Sequence, residues 1–249
     1  MVKRLLITGL HGTIGPKVAE VAKSQGWDVV TWPRNVVDPE NISEANLFLF
    51  RMNLSGIVHL GLGSERWASL MAHFAQVNDI PFVFSSTVMV FSDRRKGPFT
   101  IRDIPDSNDS YGQYKLRCEQ AIRNASLKSC ILRLGWQIDE DGQGNNMVHY
   151  LDEQQKSSGK VSCSDLWIPA CTYLSDTADT IMKCINERWY GLFHVDGNAK
   201  DGYSYAKIVT LLKHKLNRDW VVSVNHDYVH DQRIKDDYLP VKSISSHLG

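Results

Sequence analysis

The chain has 249 residues, enough for one substantial domain or a domain with a small appendage. Its 28 lysines and arginines balance 28 aspartates and glutamates, so no bulk charge points to nucleic acid or a membrane surface. The cysteines (Cys118, Cys130, Cys163, Cys171 and Cys184) are odd in number with no Cys-x-x-Cys spacing, and no His-Glu-x-x-His occurs; reduced thiols and no metal site are expected.

Met1 to Leu10 holds an apolar run too short for a signal peptide or a membrane span, and a cytoplasmic protein is expected. Lys3-Arg4-Leu5-Leu6-Ile7-Thr8 reads instead as a buried first strand. It runs into Gly9-Leu10-His11-Gly12-Thr13-Ile14-Gly15 and then a helix from about Pro16 to Gln25. Strand, glycine loop and helix in that order place a diphosphate on a helix N-terminus. Gly9 would make the tight turn, Gly12 would let backbone approach the phosphates, and Gly15 would let helix pack on strand. The second strand, Trp27 to Trp32, is followed by Pro33-Arg34 with no acid to hold a ribose hydroxyl; Arg34 either faces a 2′-phosphate, favouring NADP, or is a solvated loop cation.

Asn41 to Asn53 has helical spacing, Gly56 to Leu60 reads as the next parallel strand, and Glu65 to Asn78 as a helix with a Trp67, Leu70, Met71, Phe74 stripe. His59 and His73 read as structural. Pro81 to Phe84 is a buried strand that delivers Ser85-Ser86-Thr87 at its carboxyl end, where open α/β sheets bind ligands. Residues 92–110 form a long polar loop. Tyr111 to Ala125 is helical, and Tyr111 and Lys115 fall on one face, where an ammonium would lower a phenol pKa normally about 10. The spacing also occurs at Tyr203/Lys207 and Tyr238/Lys242, so position must decide among the three.

Further on come a strand from Cys130 to Leu134, a break of glycines and asparagines from Gly142 to Asn146, and a helix from Met147 to about Lys156. A helix from Ser175 to Arg188, a strand from Gly191 to Val195 and a helix from Ser204 to Leu216 follow, and Asp227 to Gly249 is polar with little periodicity. The alternation predicts an α/β fold with a doubly wound parallel sheet, a Rossmann fold.

In this order the motifs resemble the extended short-chain dehydrogenase/reductases. The likeness is carried by Thr8-Gly9-x-x-Gly12-x-x-Gly15, by Phe84-Ser85-Ser86-Thr87 and the segment after it, and by Tyr111-Gly112-x-x-Lys115-x-x-x-Glu119, over most of residues 3–195. Leu132-Arg133-Leu134-Gly135-Trp136, Gly144-Asn145-Asn146-Met147 and Gly191 to Val195 are similar to segments of the dTDP-4-dehydrorhamnose reductase family. The resemblance implies a single unit with a Rossmann part of about residues 1–140 plus 170–196 and a small substrate lobe of about 141–169 plus 197–249.

It also implies NADP as cofactor, with NAD as the alternative, held by Gly9, His11, Gly12, Thr13, Ile14, Gly15, Arg34 and Lys115. Tyr111 would protonate a substrate carbonyl, Lys115 would tune it, and Thr87 would polarise the same oxygen, with Ser86 as the neighbouring alternative. Trp136, Asn146 and His149 would line the substrate, a nucleotide sugar of the 4-keto-6-deoxyhexose type. Val88-Met89 stand where the family's dehydratases carry an acidic pair, which argues against dehydration. A reductase is expected, with a sugar-nucleotide epimerase or a non-catalytic NADP-binding subunit as alternatives, no nucleic-acid or membrane partner, and a homodimer left open.

Overall fold

The computed structural model describes residues 2–141 and 144–248; Gly142 and Gln143, in the expected break, lie outside the described residues. The chain forms two compact units. The first comprises residues 1–90, 107–133 and 177–193, and the second residues 91–106, 134–176 and 194–249. Residues 91–106, expected to run with the Rossmann part, therefore cluster with the second unit.

The first unit is built on a six-stranded sheet. Its strands are β1 (Arg4–Thr8), β2 (Asp28–Thr31), β3 (Gly56–His59), β4 (Phe82–Thr87), β6 (Ser129–Leu134) and β11 (Gly191–Val195), in the order β11-β6-β4-β3-β1-β2. The helices are α1 (Gly15–Ser24), α2 (Ile42–Arg51), α3 (Glu65–Val77), α4 (Ser110–Ala125) and α6 (Leu174–Asn186), the last beginning within the second unit. The strands between β4 and β11 that do not join this sheet are the short β5 (Phe99–Thr100), β7 (Trp136–Ile138), β8 (Val161–Ser164), β9 (Trp167–Ile168) and β10 (Cys171–Tyr173).

Each first-unit helix buries one stripe. In α3 Trp67, Ala68, Met71, Ala72 and Ala75 are buried at helical spacing, against Phe82 and Phe84 of β4 and Cys118 and Ile122 of α4. A fully buried side chain of this size contributes about 1.5–3 kcal/mol relative to exposure.

The strand order positions the site. The chain moves from β1 to β2 on one side and then crosses to β3 on the other, so the topological switch point falls between β1 and β3. In doubly wound sheets the ligand crevice opens there. Register makes the exits level: Thr8 stands opposite His59, and His59 opposite Phe84. Gly9 and Leu60 therefore leave the sheet side by side, while β4 runs on through Ser85 and Ser86 to Thr87. Ile7 opposite Thr31 brings the Trp32–Arg34 turn out on the far side of Gly9.

The second unit has no comparable sheet. Four parallel pairs, β7 with β10, β8 with β12 (Val222–Asn225), β9 with β13 (His230–Asp231) and β5 with β14 (Ile234–Lys235), are joined by α5 (Met147–Ser158), α7 (Tyr205–Lys215) and α8 (Ser245–Leu248). Its core gathers Ile138, Met147, Leu151, Ile208, Val209, Leu212 and Trp220. The polar stretch from Asp227 thus holds two strands and a short helix, each too brief to leave a period in the sequence. No helix among the described residues is long and apolar enough to cross a membrane.

Candidate active site

The glycine loop is built as the spacing requires. Gly9 has φ +74°, and a Cβ there would stand 2.8 Å from the Gly61 nitrogen. A Cβ on Gly15 would lie 2.3 Å from the Gly9 carbonyl oxygen. Thr8 Oγ1 braces the two neighbouring exits by accepting the Leu60 and Gly61 N–H groups, both at 3.1 Å, and meets His59 Nδ1 at 2.6 Å. Burial, with help from Lys115 and Arg34, holds His59 well below the ordinary imidazole range, so it is a neutral core residue, as expected.

Helix α1 begins without a side-chain cap and without an acid in its first turn. By contrast α2, α3, α4, α5 and α7 are capped by Asn41, Ser64, Asp109, Asn146 and Ser204. The open N–H groups of α1 sit at the end of β1, beside the switch point, and suit the phosphates of a dinucleotide. His11 and Gly12 are exposed on this loop, and Thr13 and Ile14 half-buried. Arg34 is exposed at the end of β2, its guanidinium 4.7 Å over the Trp67 ring and hydrogen-bonded through Nη2 to the Leu62 carbonyl.

Asp109 sets the start of α4 by accepting the Tyr111 and Gly112 N–H groups, both at 2.9 Å. A Cβ on Gly112 would lie 2.1 Å from the Met89 carbonyl oxygen, so only glycine lets the helix settle on the turn after β4. Tyr111 is 38% exposed and Lys115 2%. Of the three Tyr-x-x-x-Lys pairs, only this one lies within a helix: Tyr203 precedes α7, and Tyr238 and Lys242 lie between β14 and α8.

Lys115 Nζ donates to the Ser85 carbonyl at 2.7 Å and stands 5.7 Å from the Tyr111 ring centre. Burial brings its ammonium down to about 8. The expected lowering of the phenol is absent: burial first, then the Asp109 carboxylate and Cys118, hold Tyr111 above its usual value. The lysine is turned to a backbone carbonyl, while the capping carboxylate is at the helix start. Tyr111 therefore remains a protonated donor through neutral pH.

Side chains alternate along β4, so Ser86 points away from Thr87. The Ser86 hydroxyl donates to Glu119 Oε1 at 2.5 Å, and Arg133 binds the same carboxylate at 3.0 and 2.8 Å. Ser86 thus belongs to a buried network joining β4, α4 and β6, which corrects its expected place beside the reacting oxygen. Thr87 Oγ1 accepts the Met89 N–H at 3.2 Å and keeps its own proton to donate.

Trp136, Asn146 and His149 lie in the second unit. Asn146 is fully buried and caps α5 by accepting the His149 N–H at 3.0 Å, and its Nδ2 has no partner among the described residues. Trp136 belongs to an aromatic cluster that sequence reasoning missed. It stacks at 6.2 Å on Trp167 and 6.0 Å on Tyr205 and meets Tyr150 edge-on at 5.4 Å, while Tyr228 meets Trp167 at 5.5 Å. These rings come from five separate stretches of chain, so no local spacing announces them.

The family model described as RmlD substrate binding domain matches residues 64–237. A dTDP-4-dehydrorhamnose reductase of Aggregatibacter actinomycetemcomitans is 24% identical, over 78% of this chain and 73% of that protein. The spore coat polysaccharide biosynthesis protein SpsK of Bacillus subtilis (strain 168) is 21% identical over 78% and 74%. Among solved structures, a dTDP-4-dehydrorhamnose reductase from Bacillus anthracis in complex with NADP superposes with TM-score 0.82 at 20% identity, covering 100% of this chain and 98% of that one.

Proposed function

The chain belongs to the RmlD substrate binding domain family, and from that premise we propose that it is an NADPH-dependent reductase of a carbonyl on a nucleotide-activated sugar, of the 4-keto-6-deoxyhexose type. The reading is carried by one observation: one unit holds an uncapped helix behind a glycine loop at the end of β1, Thr87 at the end of β4 with only β3 between those strands, and Tyr111 and Lys115 at the start of α4. The NADP complex of the Bacillus anthracis structure and the reductase names of the relatives support it. Arg34, an exposed cation at the end of β2 where an acid would favour NAD, supports the phosphorylated cofactor.

NADPH would supply the hydride when bound; the glycine loop and the α1 N–H groups would hold its diphosphate, and Arg34 would face its adenosine 2′-phosphate. Tyr111 Oη gives its proton to the carbonyl oxygen. Thr87 donates a hydrogen bond to the same oxygen as charge develops there. Lys115, anchored on the Ser85 carbonyl, keeps a positive charge beside the phenol and stabilises the phenolate left behind. Asn146 acts through the α5 cap, with Nδ2 as its remaining donor.

The test is NADPH oxidation against a panel of nucleotide-4-ketosugars. Tyr111→Phe is expected to lower kcat by about 100-fold or more while cofactor binding is retained. Full activity in that variant rejects the proton-donor role, and a cofactor that stays bound through purification and turnover favours an epimerase.

A further inference from the structure

Tyr114 lies one turn from Tyr111 in α4, and its Oη accepts the Gly63 N–H at 3.1 Å. The phenol lies one turn from the buried Cys118 thiol. Gly63 shares its peptide group with Leu62, whose carbonyl is the one Arg34 holds. A single peptide plane is thus gripped at both ends, by a guanidinium on its oxygen and by a phenol on its nitrogen. Gly63 is itself pressed on the indole that Arg34 covers, since a Cβ there would stand 2.3 Å from Trp67 Cε3. Ser64, next in the chain, caps α3 and fixes Trp67 through its N–H at 3.1 Å. Gly61 lies against Gly9 of the cofactor loop.

We infer that Tyr114 is a positioning residue for cofactor selection: it orients the Leu62–Gly63 peptide on which Arg34 rests, so that the guanidinium is presented ready-made to a nucleotide 2′-phosphate. The inference rests on the NADP reading of Arg34 above. Hydrogen bonds in a chain polarise one another, so the phenol strengthens the carbonyl as an acceptor for the guanidinium. A loose arginine on an exposed turn loses rotamer freedom when it grips a phosphate, and an arginine already seated on a carbonyl and an indole loses less. Tyr114 touches no reacting atom in this role.

The experiment is direct binding of NADPH and NADH, by fluorescence titration, to the full chain and to Tyr114→Phe, Arg34→Ala and the double variant. Phenylalanine keeps the ring packing of the core and removes only the hydroxyl, and melting curves confirm the fold. The wild type is expected to prefer NADPH. Tyr114→Phe is expected to weaken NADPH by about 3- to 10-fold and leave NADH within about twofold, the size of one lost hydrogen bond. Adding Tyr114→Phe to Arg34→Ala is expected to weaken NADPH no further, because the two act as one unit. Equal weakening of both nucleotides, or additive losses in the double variant, overturns the inference in favour of a plain packing role. An NADPH preference undiminished in Tyr114→Phe removes this inference alone, whereas a wild type without preference removes the NADP reading of Arg34 along with it.

Discussion

Each unit buries a carboxylate, and the two are stabilised in different ways. In the first, Glu119 faces the Arg133 guanidinium in a forked pair and accepts the Ser86 hydroxyl. In the second, Asp196 accepts three backbone N–H groups, from Cys171 at 3.0 Å, Asn198 at 2.8 Å and Ile234 at 3.1 Å. A countercharge ties three elements together through side chains alone. Backbone donors instead fasten strand-end and loop segments that no regular sheet holds, as the two-residue pairings of the second unit require. The first arrangement serves a regular helix packed on a sheet, and the second serves a lobe assembled from loops.

Removing one member of the first arrangement should have the largest effect. Glu119→Ala removes the forked carboxylate partner of the buried Arg133 and is expected to cost about 3–5 kcal/mol. Hydrogen exchange should then rise across α4, β4 and β6, and protection unchanged there would mean that the network is not what fastens them. The second arrangement should respond to pH. Burial pushes Asp196 from 3.8 up to about 7, so the folded state holds a proton that the unfolded chain has released between those values. Stability contributed by this group is therefore complete below pH 3.8 and falls as pH rises toward 7, by up to about 4 kcal/mol. Melting temperatures taken from pH 4 to 7 should show this slope in the wild type and lose it in Asp196→Asn; an identical slope in both proteins would assign it elsewhere.

The smallest effect is at the cap of α4. Asp109→Ala should cost about 1 kcal/mol of stability. It also removes a carboxylate that holds the Tyr111 phenol up, so the alkaline limb of the rate profile should move to lower pH. An alkaline limb that stays in place would free Tyr111 from the influence of its own helix cap.

The same contrast explains what the sequence disclosed. The first unit writes its signals locally: the glycine loop spans seven residues of chain, Tyr111 and Lys115 share one helix face, and Ser-Ser-Thr ends a strand. Strand pattern and helix spacing placed these elements within a residue or two, as with Ser110–Ala125 for the expected Tyr111 to Ala125. What escaped was direction and distance. Ser86 and Thr87 look alike until pleating sends them to opposite faces. Tyr114 meets Gly63 across 51 residues, and its hydroxyl has no motif. The phenol shift has the wrong sign in sequence because spacing shows the lysine and hides the carbonyl it prefers. In the second unit almost nothing is local: Phe99 pairs with Ile234, and Trp167 packs on Tyr205. Strands of two residues carry neither period nor propensity, so the tail beyond Asp227 reads as featureless until its partners are seen.

Lys115 has one more meaning. An ammonium depressed from 10.5 to about 8 by burial is carried by the folded chain at neutral pH at a cost of about 3 kcal/mol. A methionine would fill much of that volume without the charge. The folded chain therefore bears an electrostatic cost at Lys115 that an apolar side chain of similar volume would not impose.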